Sequence, residues 1–138
     1  MGEITLVAIY KRFPTTEDCI AHLEQIRWQG TPICPYCEST KNTPMMKEHR
    51  YRCNGCNTSY SVTVKTLFHK THVDLQKWYL LIALIINSTK DPSVRSLAER
   101  IQVNKNTANY MAMRLRRALT KELNLLLRLA DDVLGVNQ

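Results

Sequence analysis

The stretch CPYCESTKNTPMMKEHRYRCNGC, residues 34–56, holds four of the five cysteines of the chain, as two Cys-x-x-Cys pairs with fifteen residues between them. A Cys-x-x-Cys turn sets two thiolates on one side of an ion. Two such turns, joined by a β-hairpin, complete the tetrahedron that zinc prefers. The spacing predicts one zinc held by Cys34, Cys37, Cys53 and Cys56. All four positions would be filled by protein, leaving none open for water, so the expected ion is structural and not catalytic. So short a segment has little core of its own. The metal would supply much of its folding free energy, on the order of 10 kcal/mol. A rubredoxin-type iron centre uses the same ligands, and spacing does not separate the two. A redox pair would expect a thioredoxin-like βαβ context, which is missing. Pro35 and Gly55 suit tight turns.

Upstream, Pro14 leads into TTEDCIAHLEQIRW. Thr15 with Asp18 fits a capping box, and Ile20, Leu23 and Ile26 share one helical face. A helix is expected from about residue 16 to 28, closed by Gly30 and Pro32. Cys19 falls inside it and reads as a buried apolar residue rather than a ligand. Further upstream, ITLVAIY reads as an edge strand or a loosely docked arm. Downstream of the second pair, YRCNGC and SYSVTV alternate and carry aromatic and β-branched residues, so residues 33–66 read as short strands and turns. His69 and His72 have no second ligand pair near them in sequence and read as structural histidines before the next helix.

From Asp74 the pattern becomes helical. DLQKWYLLIALIINS reads as a helix buried on all sides with Asp74 as its N-cap, broken by Asp91 and Pro92. Ser93 caps SVRSLAERI, QVN makes a tight turn, and a longer helix, KNTANYMAMRLRRAL, begins near Asn104. Residues 93–117 thus fit a helix-turn-helix with Leu97, Ala98, Ile101, Val103, Ala108 and Met111 as its apolar positions. Gln102 stands where such turns often hold a glycine at positive φ, which costs a non-glycine residue about 1 kcal/mol. The second helix opens with polar groups that can reach base edges or phosphates: Asn104, Lys105, Asn106, Thr107, Asn109 and Tyr110. Arg114, Arg116 and Arg117 suit phosphates. Lys105, Asn106, Asn109 and Met113 can share an outward face. A plain three-helix bundle with a basic surface is the alternative. The tail, TKELNLLLRLADDVL, is amphipathic, with an apolar stripe of Leu119, Leu123, Leu126, Leu127, Ala130 and Leu134, and ends at Gly135. The stripe serves either internal packing or a dimer contact.

The net charge of +7 and a pI near 9.3 point to a polyanionic partner. The excess is concentrated: Arg95, Arg100, Lys105, Arg114, Arg116, Arg117 and Lys121 face one acid, Glu99, over that span. The longest apolar run, WYLLIALII, falls short of the roughly 20 residues a bilayer-spanning helix needs, and the first residues show no signal pattern. A cytoplasmic, nucleoid-associated protein with no membrane part is expected. The fold class expected is small α+β: residues 1–32 an arm and helix, 33–72 a zinc ribbon of short antiparallel hairpins, 73–117 a helix-turn-helix, and 118–138 an amphipathic helix.

As a whole the chain resembles the N-terminal zinc-ribbon region of bacterial insertion-sequence transposases with a DDE nuclease. The matching pieces are Phe13-Pro14, Arg27-Trp28, the four cysteines, SVTVKTLFH, Trp78 and SLAERIQVNKNTANYM. The family often carries a cysteine at the place of Cys19. Lys65 stands where it usually carries glycine, so the bend there can differ. The resemblance implies DNA recognition by ribbon and helix-turn-helix together, with Lys41, Lys47, Arg50 and Arg52 adding contacts from the ribbon. The family's catalytic domain is RNase H-like and holds two metal ions on Asp, Asp and Glu. The adjacent Asp131 and Asp132 are no such set. A non-enzymatic, stand-alone relative of the DNA-recognition half is therefore expected, acting as a regulator or as a targeting subunit of a mobile element or phage. Its expected partner is double-stranded DNA, bound as a dimer or within a larger nucleoprotein complex. The alternative is an interaction module that binds a host protein or another copy through the ribbon or the tail.

Overall fold

The computed structural model describes residues 5–134 apart from Lys70, Thr89 and Asp91, and leaves the side chains of Met46 and Leu134 undescribed. The helix break placed at Asp91 and the stop placed at Gly135 lie outside the described residues. Among the described residues the fold is α+β, with six α-helices and one three-stranded antiparallel sheet. Contacts divide the chain into two compact units, Glu17–Thr71 and Met1–Thr16 with His72–Gln138.

The first unit pairs helix α2 (Thr16–Trp28) with strands β1 (Asn42–Met45), β2 (Arg50–Cys53) and β3 (Ser59–Tyr60). The α2 limits are those its capping and apolar spacing predict, and Cys19, Leu23, Ile26 and Trp28 are buried. Cys19 is fully buried, as its place in the helix implies. Strands β1 and β2 form the hairpin between the cysteine pairs, with Asn42 opposite Cys53 and Met45 opposite Arg50. A single 3-10 turn, Met46–Glu48, closes it. Three aromatic rings hold helix and sheet together. Trp28 meets Tyr51 and Tyr60 edge-on at 5.6 and 5.8 Å, and Tyr51 stacks on Tyr60 at 5.8 Å. The Tyr51 hydroxyl donates to Glu24 at 2.9 Å.

The run SYSVTV is a strand only at Ser59 and Tyr60. Beyond them the chain turns, with Val64 N–H bonding to Ser61 O, Thr66 to Thr63 and His69 to Thr66. Burial does alternate through the run, with Tyr60, Val62 and Val64 buried and Ser61 and Thr63 half-buried, but beyond Tyr60 the backbone closes on itself in turns instead of pairing with a strand. Arg27 donates to the carbonyls of Val62 and Val64 at 2.7 and 3.1 Å. It thereby satisfies backbone groups that a neighbouring strand would otherwise take.

The second unit is helical: α1 (Leu6–Arg12), α3 (Leu75–Ile86), α4 (Val94–Ile101), α5 (Lys105–Ala118) and α6 (Leu123–Leu134). Helix α3 packs against the other four, which is why its sequence is apolar all round and none of its residues is exposed. The stretch read as an edge strand is helix α1. Thr5 caps it by accepting from Ala8 N–H at 3.2 Å, and Leu6 and Ile9 are buried. Its β-branched residues favour a strand, but packing overrides that weak preference. The segment is also docked firmly. Phe13 meets Tyr79 edge-on at 5.2 Å, Gln76 donates to Phe13 O at 2.8 Å, and Arg12 donates to Asp132 O at 3.0 Å. Asp74 does sit at the start of α3, but its carboxylate accepts from the Tyr10 hydroxyl at 2.6 Å and makes no cap bond.

In α6 the buried positions are Leu126, Leu129, Ala130 and Val133, an i, i+3, i+4, i+7 pattern that faces the hub helix α3. The tail stripe is thus an internal packing face. It runs through Leu129 and Val133 and leaves Leu123 and Leu127 exposed at 47% and 43%.

Candidate metal centre and nucleic-acid face

The hairpin brings the two Cys-x-x-Cys turns together, and the four sulfurs lie within 4.8 Å of one another. Cys34 and Cys56 sulfurs are 3.8 Å apart, and those of Cys37 and Cys53 are 3.4 Å apart. A tetrahedron with zinc–sulfur bonds of about 2.3 Å has edges of about 3.8 Å. The donor set therefore fits a structural zinc in both chemistry and size. Among the described residues no second group of three or more His, Cys, Asp or Glu side chains is gathered in this way, and His72 is exposed.

The two turns repeat each other bond for bond. Cys34 N–H reaches Ser39 O at 3.0 Å and Cys53 N–H reaches Thr58 O at 2.9 Å. Glu38 N–H bonds to Cys34 O at 2.9 Å and Asn57 N–H to Cys53 O at 2.8 Å. Both closing residues are left-handed, Glu38 at φ 65° and Asn57 at φ 62°. Backbone N–H groups point at sulfur: Tyr36 at Cys34 (3.4 Å), and Gly55 and Cys56 at Cys53 (3.3 and 3.4 Å). Gly55 is needed for closeness rather than for an unusual φ. A Cβ there would lie 3.2 Å from Ser39 Cβ and 3.5 Å from Cys37 Sγ.

These donors set the thiols apart. The Thr58 hydroxyl and N–H hold Cys56 down at about 6, and the Cys56 N–H lowers Cys53. At Cys37 the Ser39 N–H is the strongest single influence and lowers the thiol. The crowding sulfur of Cys53, burial, and the sulfurs of Cys56 and Cys34 outweigh it, so Cys37 is pushed up to about 12. Without a cation the four sulfurs cannot all ionise; a divalent ion relieves that repulsion.

The bend at Lys65 keeps the left-handed backbone that glycine serves, with φ 61°. Its amine folds over the exposed Tyr36 ring, 5.0 Å from the centroid, and donates to Pro35 O at 3.0 Å. The lysine thus ties the bend to the first cysteine turn. Nothing in the sequence pattern marks that tie.

Of the ribbon cations, Lys41, Lys47 and Arg52 are exposed. Arg50 is half-buried and engaged. Its guanidinium donates to Ser59 Oγ at 2.7 Å and Ser59 O at 3.1 Å, holding β3 to β2.

In the helical unit, α4 and α5 pack against each other, with Leu97, Ala98, Ile101, Ala108 and Met111 buried. Ser93 caps α4 by accepting from Ser96 N–H at 3.1 Å. Gln102 lies in the turn at φ 59° and ψ 52°, the left-handed position foreseen for it. Asn104 Oδ1 accepts from Thr107 N–H at 2.7 Å and caps α5. Its side chain is therefore engaged with the backbone, and Thr107 is half-buried. Lys105, Asn106, Asn109, Tyr110, Met113, Arg116 and Arg117 are exposed. Arg114 is half-buried, donates to the Tyr110 hydroxyl and lies 5.9 Å from the Tyr110 ring centre. The helix thus carries an outward polar face with cations at both ends and no acidic residue.

No helix of the described residues is long and apolar enough to cross a membrane. Residues 14–59 match the family model of the transposase zinc-ribbon domain. An uncharacterized protein in transposable element ISH50 of Halobacterium salinarum is 30% identical over 100 residues, 70% of this chain and 33% of the relative. The chain thus spans about one third of the length of that relative. No solved structure matches. The resemblance to the zinc-ribbon region of insertion-sequence transposases is borne out over residues 14–59, where the four-cysteine cluster stands.

Proposed function

We propose that this chain is a DNA-recognition module of a transposition system, built on one structural zinc, that binds double-stranded DNA through α5 and adds phosphate contacts from the ribbon. The observation that carries this reading is the outward face of α5. Lys105, Arg116 and Arg117 bracket exposed carboxamides on a helix whose other side is buried against α3 and α4. Cations of this kind position a helix on phosphates, and carboxamides read bases. Lys41, Lys47 and Arg52 are the ribbon side chains free for phosphate, and Arg50 is structural. The role is recognition, in targeting or regulation, and not strand cleavage. A zinc with four thiolate ligands has no open position, and neighbours such as Asp131 and Asp132 diverge on a helix. Leu123 and Leu127 would pair two copies, which suits two half-sites.

The zinc-loaded chain should bind duplex from a random pool with an affinity that falls steeply with salt. It should leave supercoiled plasmid intact in magnesium. Replacing Arg116 and Arg117 together by alanine should weaken binding with the helical signal unchanged. Sedimentation at binding concentrations checks the dimer. Indifference to the double replacement would favour a protein-binding role instead.

A further inference from the structure

The middle of the α5 face has the wrong chemistry for a helix that holds only phosphates. At 3.6 residues per turn, Asn106, Asn109, Tyr110 and Met113 fall within about 100° of arc. Asn106 to Met113 covers about 10 Å of axis, the rise of roughly three base pairs. Tyr110 and Met113 are 47% and 45% exposed, large apolar side chains where a solvent-facing helix would carry charge. Each is also held in place. Asn109 Nδ2 approaches Met113 Sδ at 3.8 Å, and Arg114 grips the Tyr110 hydroxyl from the same helix. The cations stand at the ends, Lys105 in the first turn and Arg116 and Arg117 in the last.

We infer that α5 reads A·T pairs in the major groove, with Asn106 and Asn109 on adenine edges and Met113 against a thymine methyl. This rests on the DNA-binding reading above and narrows it to a class of site. Carboxamides pair with adenine N6 and N7, and an apolar side chain answers the C5 methyl of thymine. Guanine is read by Arg or Lys and cytosine by Asp or Glu. The centre of this face holds neither. Occupation by nucleic acid also fits the charge, since basic ends with an uncharged centre match two phosphate ridges flanking a groove floor.

The test uses the full zinc-loaded chain and duplexes selected from a random pool. The selected core should contain adjacent A·T pairs. Changing its thymines to uracil removes only methyl groups, and should weaken binding about fourfold for each methyl that Met113 covers. Met113→Ala should weaken binding to the thymine duplex by a similar factor and no longer distinguish thymine from uracil, whereas Met113→Leu should still do so. Asn109→Ala should lose about tenfold and relax preference at one A·T pair. Both positions are exposed, so folding should survive, and far-ultraviolet dichroism checks it. A selected core of G·C pairs, or binding that persists unchanged on fully uracil-substituted sites, would overturn the A·T reading while leaving DNA binding intact. Failure to bind any duplex would overturn the DNA-binding reading on which it rests.

Discussion

Gln102 sits in the left-handed region because the turn between α4 and α5 leaves no other path: its own N–H and that of Val103 both close on Ala98 O. An L-residue there costs roughly 1–2 kcal/mol, and glycine is free of the Cβ clash but loses more chain entropy on folding. Gln102→Gly should therefore stabilise the helical unit by up to about 1 kcal/mol, read as a shift in urea midpoint at constant slope. The contact from Lys77, which donates to Gln102 O at 2.9 Å, uses the backbone and survives the change. The two cysteine turns offer a sharper comparison, because the same bend is made by Glu38 in one and by Asn57 in the other. Asparagine tolerates the left-handed region and glutamate does not. Glu38→Gly should stabilise the metal-loaded ribbon by more than Asn57→Gly does. Equal effects in thermal unfolding would mean that backbone strain is not what distinguishes the turns.

The described strands of the ribbon are short, the first two of four residues and the last of two, below the usual five or six. Metal ligation should therefore decide whether its hairpin persists, while α3 to α6, with a core of their own, should keep their helical signal when zinc is chelated. The thiols set the pH dependence. Ligation requires Cys37 as thiolate, and the metal-free protein holds that group protonated up to about pH 12. Binding zinc near pH 7 thus releases its proton, and affinity should rise as pH rises and fall by about tenfold per unit on acidification for each proton released. Competition titrations with a zinc indicator between pH 6 and 8 measure that slope; a flat profile would contradict it. What was legible in the sequence follows the same physics. The cysteine pairs, the α2 limits, the cap at Ser93 and the buried character of α3 each depend on neighbours in sequence, and each was readable. Helix α1, the turns after Tyr60 and the choice of buried face on α6 depend on partners far along the chain. There β-branched and alternating patterns pointed to strands, and Leu129 and Val133 were missed. The α5 face was read for its residue types, but the engagement of Asn104, Arg50 and Arg114 with the protein itself was not visible, because polarity alone does not say whether a donor is already used.

Across the molecule, the basic residues divide into those that hold structure and those that face solvent, and this division makes the charge of +7 a testable quantity. Each phosphate neutralised releases about 0.9 counterion, so the slope of log affinity against log salt counts the cations that touch DNA. Replacing Arg116 and Arg117 by alanine should reduce that slope by roughly 2. Replacing Lys41 and Arg52 should reduce it by a similar amount if both units engage one duplex, and leave it unchanged if α5 acts alone. Arg50→Ala separates structure from contact. It removes two hydrogen bonds to Ser59, so it should lower ribbon stability and loosen zinc while leaving the salt slope of the metal-loaded protein unaltered. A slope that fell with Arg50→Ala but not with Arg116→Ala and Arg117→Ala would move the binding surface from the helix to the sheet. The zinc would then hold the reader itself.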